Sequence, residues 1–330
     1  MKYKCCKYIQ SGISFRHDAV SICNKVWGSK RYEDFNIPYE GDFYNKFLAV
    51  RENAIENCKN GNLPHEGCQS CIYVEDKEWD DNAKFKEIEL THWVHCNCAC
   101  CYCAMKPVTN GKISGKQHSP YVRVLPIIKS MLKSNKIDPN AFFSITGGEA
   151  TMLKEFPDIL KLLLKQKDSS YGFCLQTNGI EYEKLFAKAL KKDRRSSIVI
   201  STDCASRELF KKMKRVDKFD KVVKNIKRYI KDSSPNGHNV VVKYIIMPNV
   251  NDNKEEIDKW IKLCRDMGVK TLQPAIEFCS QVVEPGMFTP KLSELYNYMK
   301  EQIEKNNFKM VTYDFLEKIV ENQSYDITIK

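Results

Sequence analysis

An α/β fold built on a parallel sheet is predicted for this chain of 330 residues. Three observations lead there. From about residue 86 the chain alternates strand-like and helix-like segments through six repeats. The strand-like segments are short apolar runs without strict alternation, as expected of strands covered on both faces. The residues able to do chemistry fall just after strand ends, which is where open and closed parallel sheets both carry their sites.

The first strand is read at residues 86–94 (KEIELTHWV), and a cysteine-rich loop follows it. Residues 121–134 (YVRVLPIIKSMLKS) have helical spacing, against which Pro126 is a mild objection. Residues 141–146 (AFFSIT) form a second strand that ends at Gly147-Gly148, and residues 156–166 form a helix. The third strand, 171–177 (YGFCLQT), closes at Asn178-Gly179 and leads to a helix at 182–192. The fourth is 196–202 (SSIVIST). In the helix after it, Phe219, Val222, Val223, Ile226 and Ile230 share a face. Residues 239–247 make a fifth strand. The next helix aligns Ile257, Trp260, Ile261, Cys264 and Met267 and stops at Gly268. A sixth strand at 269–276 and a long helix at 291–305 complete the pattern. Right-handed crossovers would leave this sheet open or curled into a partial barrel.

Residues 1–80 lack that rhythm. They hold a hairpin pattern at 13–23 (ISFRHDAVSIC), a helix at 44–58 and scattered cysteines, and are too polar to build much core without a metal staple. Three domains are therefore expected: a cysteine-rich module at 1–80, an α/β core at 86–290, and a helical extension at 291–330.

Bulk properties narrow the partners. No apolar run is long enough to cross a bilayer, and the basic N-terminus leads into no apolar segment of a secretion signal, so the expected compartment is the cytoplasm. The net charge of +11 comes from lysines spread along helices, which reads as solvated faces and not as a nucleic-acid arm. Fifteen cysteines in a chain kept reduced indicate metal or redox use rather than disulfides.

Five of the cysteines lie within residues 96–103. A cubane cluster that leaves one iron open to substrate needs three thiolates from a short loop. One choice in this run has C-x3-C-x2-C spacing: Cys96, Cys100 and Cys103, with the aromatic Tyr102 before the last. A zinc site competes for the same loop, because Cys98/Cys101 and Cys68/Cys71 are both CxxC pairs. After the second strand comes Gly147-Gly148-Glu149, in which bare backbone permits close approach and a carboxylate accepts from an amine. Cysteine spacing and GGE together resemble the radical S-adenosylmethionine superfamily over roughly residues 86–280.

That resemblance implies a partial (β/α)6 TIM-like barrel and a catalytic [4Fe–4S] cluster on Cys96, Cys100 and Cys103. It implies S-adenosylmethionine bound near Tyr102, Gly147, Gly148 and Glu149. An electron from a flavodoxin- or ferredoxin-type donor would cleave the sulfonium to a 5′-deoxyadenosyl radical, which abstracts a substrate hydrogen. Weaker matches place Asn178, Ser201, Asp203 and Asn251 toward the cofactor; Lys243 reads as packing at the core edge, with reach to the cofactor's carboxylate or adenosine as the alternative. The pattern Cys6, Gly12, Cys23, Cys68, Cys71 resembles SPASM or twitch modules, implying a second, auxiliary [4Fe–4S] cluster on those four cysteines. Cys5 is an alternative to Cys6, and Cys58 reads as packing. Such modules usually follow the barrel, and here it precedes, as in some relatives. Cys204, beside Asp203, is a candidate hydrogen-atom donor or a small buried residue; Cys174, Cys264 and Cys279 read as core. The expected substrate is a peptide or protein, to be epimerised, crosslinked or oxidised. The alternatives are a sugar or small metabolite, and a zinc-binding interaction protein without catalysis.

Overall fold

The computed structural model describes residues 3–23, 35–65, 68–69, 71, 73–80, 82–103, 122–233, 237–277 and 290–312. Cys279, the side chain of Cys5 and residues 313–330 of the expected extension lie outside them. The contacts group Met1–Val94 with Gln117–Phe173, and His95–Lys116 with Cys174–Lys330.

The first unit opens with β1 (Tyr3–Cys6), α1 (Lys7–Ser11), β2 (Gly12–Phe15), β3 (Ala19–Ser21), β4 (Asn36–Pro38) and α2 (Phe43–Lys59). It continues with β5 (Val74–Lys77), β6 (Phe85–Leu90), α3 (Val124–Lys133), β7 (Ile137–Ile145) and α4 (Phe156–Leu164). The predicted hairpin is present as antiparallel β2 and β3, and β4 extends it. Strand β2 also pairs parallel to β6, with Ile13 opposite Ile88, so the N-terminal residues continue the sheet that β6 and β7 share. Strands β1 and β5 make a separate antiparallel pair.

Two local expectations changed. The first strand ends at Leu90 because the Thr91 N–H and hydroxyl both donate to the Phe15 carbonyl, at 2.8 and 3.1 Å, leaving 91–94 outside the ladder. Helix α3 forms despite Pro126, which occupies its third position, where the missing N–H would have had no helical partner.

The second unit, from Cys174 within β8 (Gly172–Thr177) onward, carries α5 (Lys184–Lys192), β9 (Ser197–Ser201), α6 (Arg207–Lys214), α7 (Phe219–Asp232) and β10 (Val240–Ile246). It ends with α8 (Lys254–Met267), β11 (Thr271–Ile276), α9 (Pro290–Lys305) and β12 (Lys309–Met310). Strands β8 to β12 lie in chain order and pair parallel, as the repeats predicted. The buried residues of α8 are the five aligned by its spacing. In α7, Val223 and Ile230 are only half-buried, and Asn225 and Tyr229 take inward positions. Asn225 can be inside because its amide donates to the carbonyls of Gly179 and Ile180, both at 2.9 Å. The short helix α6 was absent from the sequence reading. Ser206 caps it through the Leu209 N–H, and Arg215 ends it at a φ of 58°. No helix among the described residues is long and apolar enough to cross a membrane.

Candidate active site

The cysteine loop after β6 is fixed by backbone. The Ala99 N–H donates to the Lys214 carbonyl at 3.1 Å and the Cys101 N–H to the Met213 carbonyl at 2.9 Å. The loop therefore hangs on the C-terminal end of α6, whose last carbonyls would otherwise lack donors. A second anchor comes from Asn178. Its amide donates to Asn97 Oδ1 at 2.6 Å and faces Cys96 Sγ at 3.6 Å, while its Oδ1 accepts from the Ile180 N–H at 3.0 Å. Gly179 holds a φ of 76°, and a Cβ there would lie 2.7 Å from Ile200 Cγ2.

Below the loop lies a buried charge cluster. Lys214 and Asp203 form an ion pair with side chains 2% and 0% exposed, and the Tyr102 hydroxyl bonds to both. The other Asp203 oxygen accepts from the Ile245 N–H at 2.9 Å, with Asp203 itself at a φ of 59°. Burial favours the neutral Lys214 amine, but Asp203 and then Cys100 outweigh it and raise its pKa. Burial and Asp203 likewise raise the Tyr102 phenol. Asn251 is fully buried. Its Oδ1 accepts from Met247 N–H at 2.6 Å, and its amide donates to the carbonyls of Asp203 and Ile245 at 2.8 and 2.9 Å. These bonds make it a lock on the loop after β10.

Within the loop Cys96, Cys100 and Cys103 are half-buried, whereas Cys98 is buried. Hydrogen bonds to Cys100 and Cys96, then burial, keep the Cys98 thiol protonated. The hydrogen bond from Cys98, reinforced by Lys214, holds Cys100 down to about 6 against burial. The Cys101 thiol faces Met247 Sδ at 3.1 Å. Cys96 and Cys100 thus share one buried thiol neighbour, Cys98, and Cys101 is turned to a thioether. Among the described residues, no three His, Cys, Asp or Glu side chains already stand in metal-holding geometry.

In the first unit, Gly147 has a φ of 104°, and a Cβ on it would meet the Trp93 carbonyl at 2.7 Å. The Gly148 N–H donates to that same carbonyl at 2.6 Å. Glu149 is 1% exposed, and one of its oxygens accepts from the Thr151 N–H and hydroxyl at 3.3 and 2.6 Å. Gly147→Ala is expected to lower stability by about 1–3 kcal/mol through backbone strain alone. Chemical denaturation checks it, and an unchanged midpoint would remove the steric role.

The four N-terminal cysteines are neighbours. Cys6 and Cys68 are buried, Cys23 and Cys71 half-buried. After burial, the thiols of Cys23, Cys71, Cys6 and Cys58 in turn push Cys68 up to about 12. Cys58 is thus near the group while packed inside α2. A second buried acid, Glu155, was not foreseen. It accepts from the Val124 N–H at 2.9 Å and lies 3.6 Å from both His92 Nε2 and Arg123 Nε.

Ser201 is half-buried at the end of β9. Cys264 is core, whereas Cys174 is only half-buried. Cys204 is 0% exposed, its thiol directed at the carbonyls of Thr202 and Ser206 at 3.3 and 3.6 Å, and burial followed by Asp203 pushes it up to about 12. This is the environment of a small buried residue, one of the two roles expected of Cys204. Alkylation at pH 8, mapped by mass spectrometry, is expected to miss Cys204 in native protein and reach it after unfolding in urea. Rapid native labelling would restore it as a candidate donor.

Lys214 was the functional residue that the sequence reading missed. Its signal was its spacing: Phe210, Met213 and Lys214 fall at i, i+3 and i+4, on the buried face of α6.

Comparison with known proteins adds the following. The family described as the Radical SAM superfamily matches residues 90–264, more than half the chain. A probable GTP 3′,8-cyclase of Saccharolobus islandicus is 32% identical over 188 residues, covering 56% of this chain and 54% of that protein. A GTP 3′,8-cyclase of Clostridium botulinum is 31% identical over 172 residues, covering 52% and 50%. The chain thus spans about half the length of these curated relatives. Among solved structures, Streptococcus suis SuiB superposes with a TM-score of 0.52 at 15% identity, over 91% of this chain and 62% of that one. The protein anSMEcpe with bound AdoMet gives 0.51 at 21% identity, over 69% and 61%. At these identities both likenesses speak for the fold.

Proposed function

The chain belongs to the radical SAM superfamily, and from that premise we propose that Cys96, Cys100 and Cys103 hold its catalytic [4Fe–4S] cluster and that its substrate is a small molecule. As a member it is an enzyme that uses S-adenosylmethionine and such a cluster, and needs an electron donor and a substrate. When bound, the reduced cluster supplies the electron that opens the sulfonium C–S bond and yields the 5′-deoxyadenosyl radical.

The protein's part is placement. The observation that carries the reading is the anchoring of the loop: Asn178 faces Cys96, the end of α6 holds Ala99 and Cys101, and the Asp203–Lys214 pair holds Tyr102. Cofactor chemistry needs such fixed geometry and exclusion of water. Gly147, Gly148 and Glu149 are assigned to the cofactor amine, supported by the bare backbone at Gly147. Cys6, Cys23, Cys68 and Cys71 are assigned to an auxiliary cluster, supported by their mutual electrostatic reach. The domain division at 1–80, 86–290 and 291–330 belongs to the same proposal.

The names of the curated relatives favour a small molecule over the peptide expected from the N-terminal module. A peptide remains the second reading, on the resemblance of that module alone. Anaerobic reconstitution tests both. About four irons per chain indicate one cluster and about eight indicate two, and dithionite with S-adenosylmethionine should yield 5′-deoxyadenosine. Colourless protein holding only zinc overturns the cluster assignment. Stimulation of 5′-deoxyadenosine formation by peptides and by no nucleotide or metabolite would move the substrate to the second reading.

A further inference from the structure

Strands β8 to β11 have two unlike faces. On one, Ile198, Ile200, Val242, Tyr244, Leu272 and Ile276 are all 0% exposed. On the other, Ser201, Lys243 and Gln273 stand side by side in the ladder, opposite one another on β9, β10 and β11. Asn178, one residue beyond β8, continues that row and touches the cysteine loop through Asn97. The polar row therefore starts at the cluster loop and crosses three further strands.

Lys243 is the only charged residue in these four strands. It is half-buried, and among the described residues its ammonium has no carboxylate partner. It lies close enough to Cys174 to lower that thiol's pKa against burial. Next to it Gln273 is 4% exposed, with its carbonyl oxygen buried and, among the described residues, without a hydrogen-bond partner. A parallel sheet covered on both faces ordinarily carries apolar residues at such positions. A lysine without a counter-ion and a buried acceptor without a donor are each unfavourable until a ligand completes them.

Building on the radical-enzyme reading, we propose that Lys243 and Gln273, paired across β10 and β11, bind an anionic group of the substrate, a carboxylate or phosphate. Lys243 supplies the charge, and Gln273 accepts from a hydroxyl or amino group beside the anion. The substrate is then a small oxyanion bearing a neighbouring hydrogen-bond donor.

S-adenosylmethionine also carries a carboxylate, so the anion is titrated with that cofactor already saturating. The probes are inorganic pyrophosphate and glutarate, added to the full reconstituted chain in an anaerobic calorimeter. Binding of pyrophosphate points to a phosphorylated substrate and binding of glutarate to a carboxylate; both support the site. Lys243→Gln is expected to weaken that binding about tenfold to a hundredfold, the worth of a charge-assisted hydrogen bond. Lys243→Arg should retain it. Failure of both probes to bind overturns the proposal. So does probe binding seen only when S-adenosylmethionine is left out, or loss of cofactor affinity in Lys243→Gln with anion affinity intact. Failure of the radical reading shows separately, as wild-type protein that forms no 5′-deoxyadenosine.

Discussion

Cys100→Ala protein, reconstituted anaerobically, is expected to lose the dithionite-reducible cluster and with it all 5′-deoxyadenosine formation above the protein-free background. Three thiolates are the minimum that leaves one iron open, and the surroundings of Cys100 favour the thiolate. The Cys98 hydrogen bond and Lys214 act on it together. The loop contains its own controls. Cys98 is buried and kept protonated by its neighbours, and Cys101 is turned toward Met247. Cys98→Ala and Cys101→Ala should therefore keep the electron paramagnetic resonance signal of the reduced cluster. If Cys98→Ala loses that signal while Cys100→Ala keeps it, the ligand assignment is wrong and the register of the loop must be redrawn.

The second large effect is structural. Lys214→Met leaves Asp203 buried without its counter-charge, and the expected loss of stability is about 3–5 kcal/mol. Urea unfolding of the variant gives the number directly. The double variant Lys214→Met/Asp203→Asn should recover much of the loss, because removing both partners removes the uncompensated charge as well. A single variant as stable as wild type would mean that the pair is solvated. The pH dependence has a definite sign. The folded-state pKa of Lys214 lies above the usual 10.5, so its contribution is complete below that value and is lost only as pH rises through the folded-state pKa.

The alternation of strands and helices was legible because each strand of the core is a short apolar run closed by a polar turn. Helix α8 was legible because five inward residues keep the helical period. The C-x3-C-x2-C spacing of Cys96, Cys100 and Cys103 was legible because it is local. What escaped the sequence depended on partners far away along the chain. The first strand stops at Leu90 because Thr91 bonds to Phe15, which lies 76 residues earlier. Lys214 sits in a lysine-rich stretch that reads as a solvated face. Its burial follows from Asp203, 11 residues before it, and Tyr102, 112 residues before it. Cys204 shows the converse: position beside Asp203 suggested exposure to substrate, and packing put the thiol inside.

The separation between Tyr102 and Lys214 also sets an order of events in the cell. The cysteine loop leaves the ribosome 112 residues before the lysine that its tyrosine contacts. At about 5–20 residues per second, synthesis of the intervening chain takes about 5–20 seconds. Through that interval the nascent loop has its thiols but neither the helix end nor the ion pair that later fixes it. Anchoring of the loop is accordingly a late step, completed only after α6 has been made and folded.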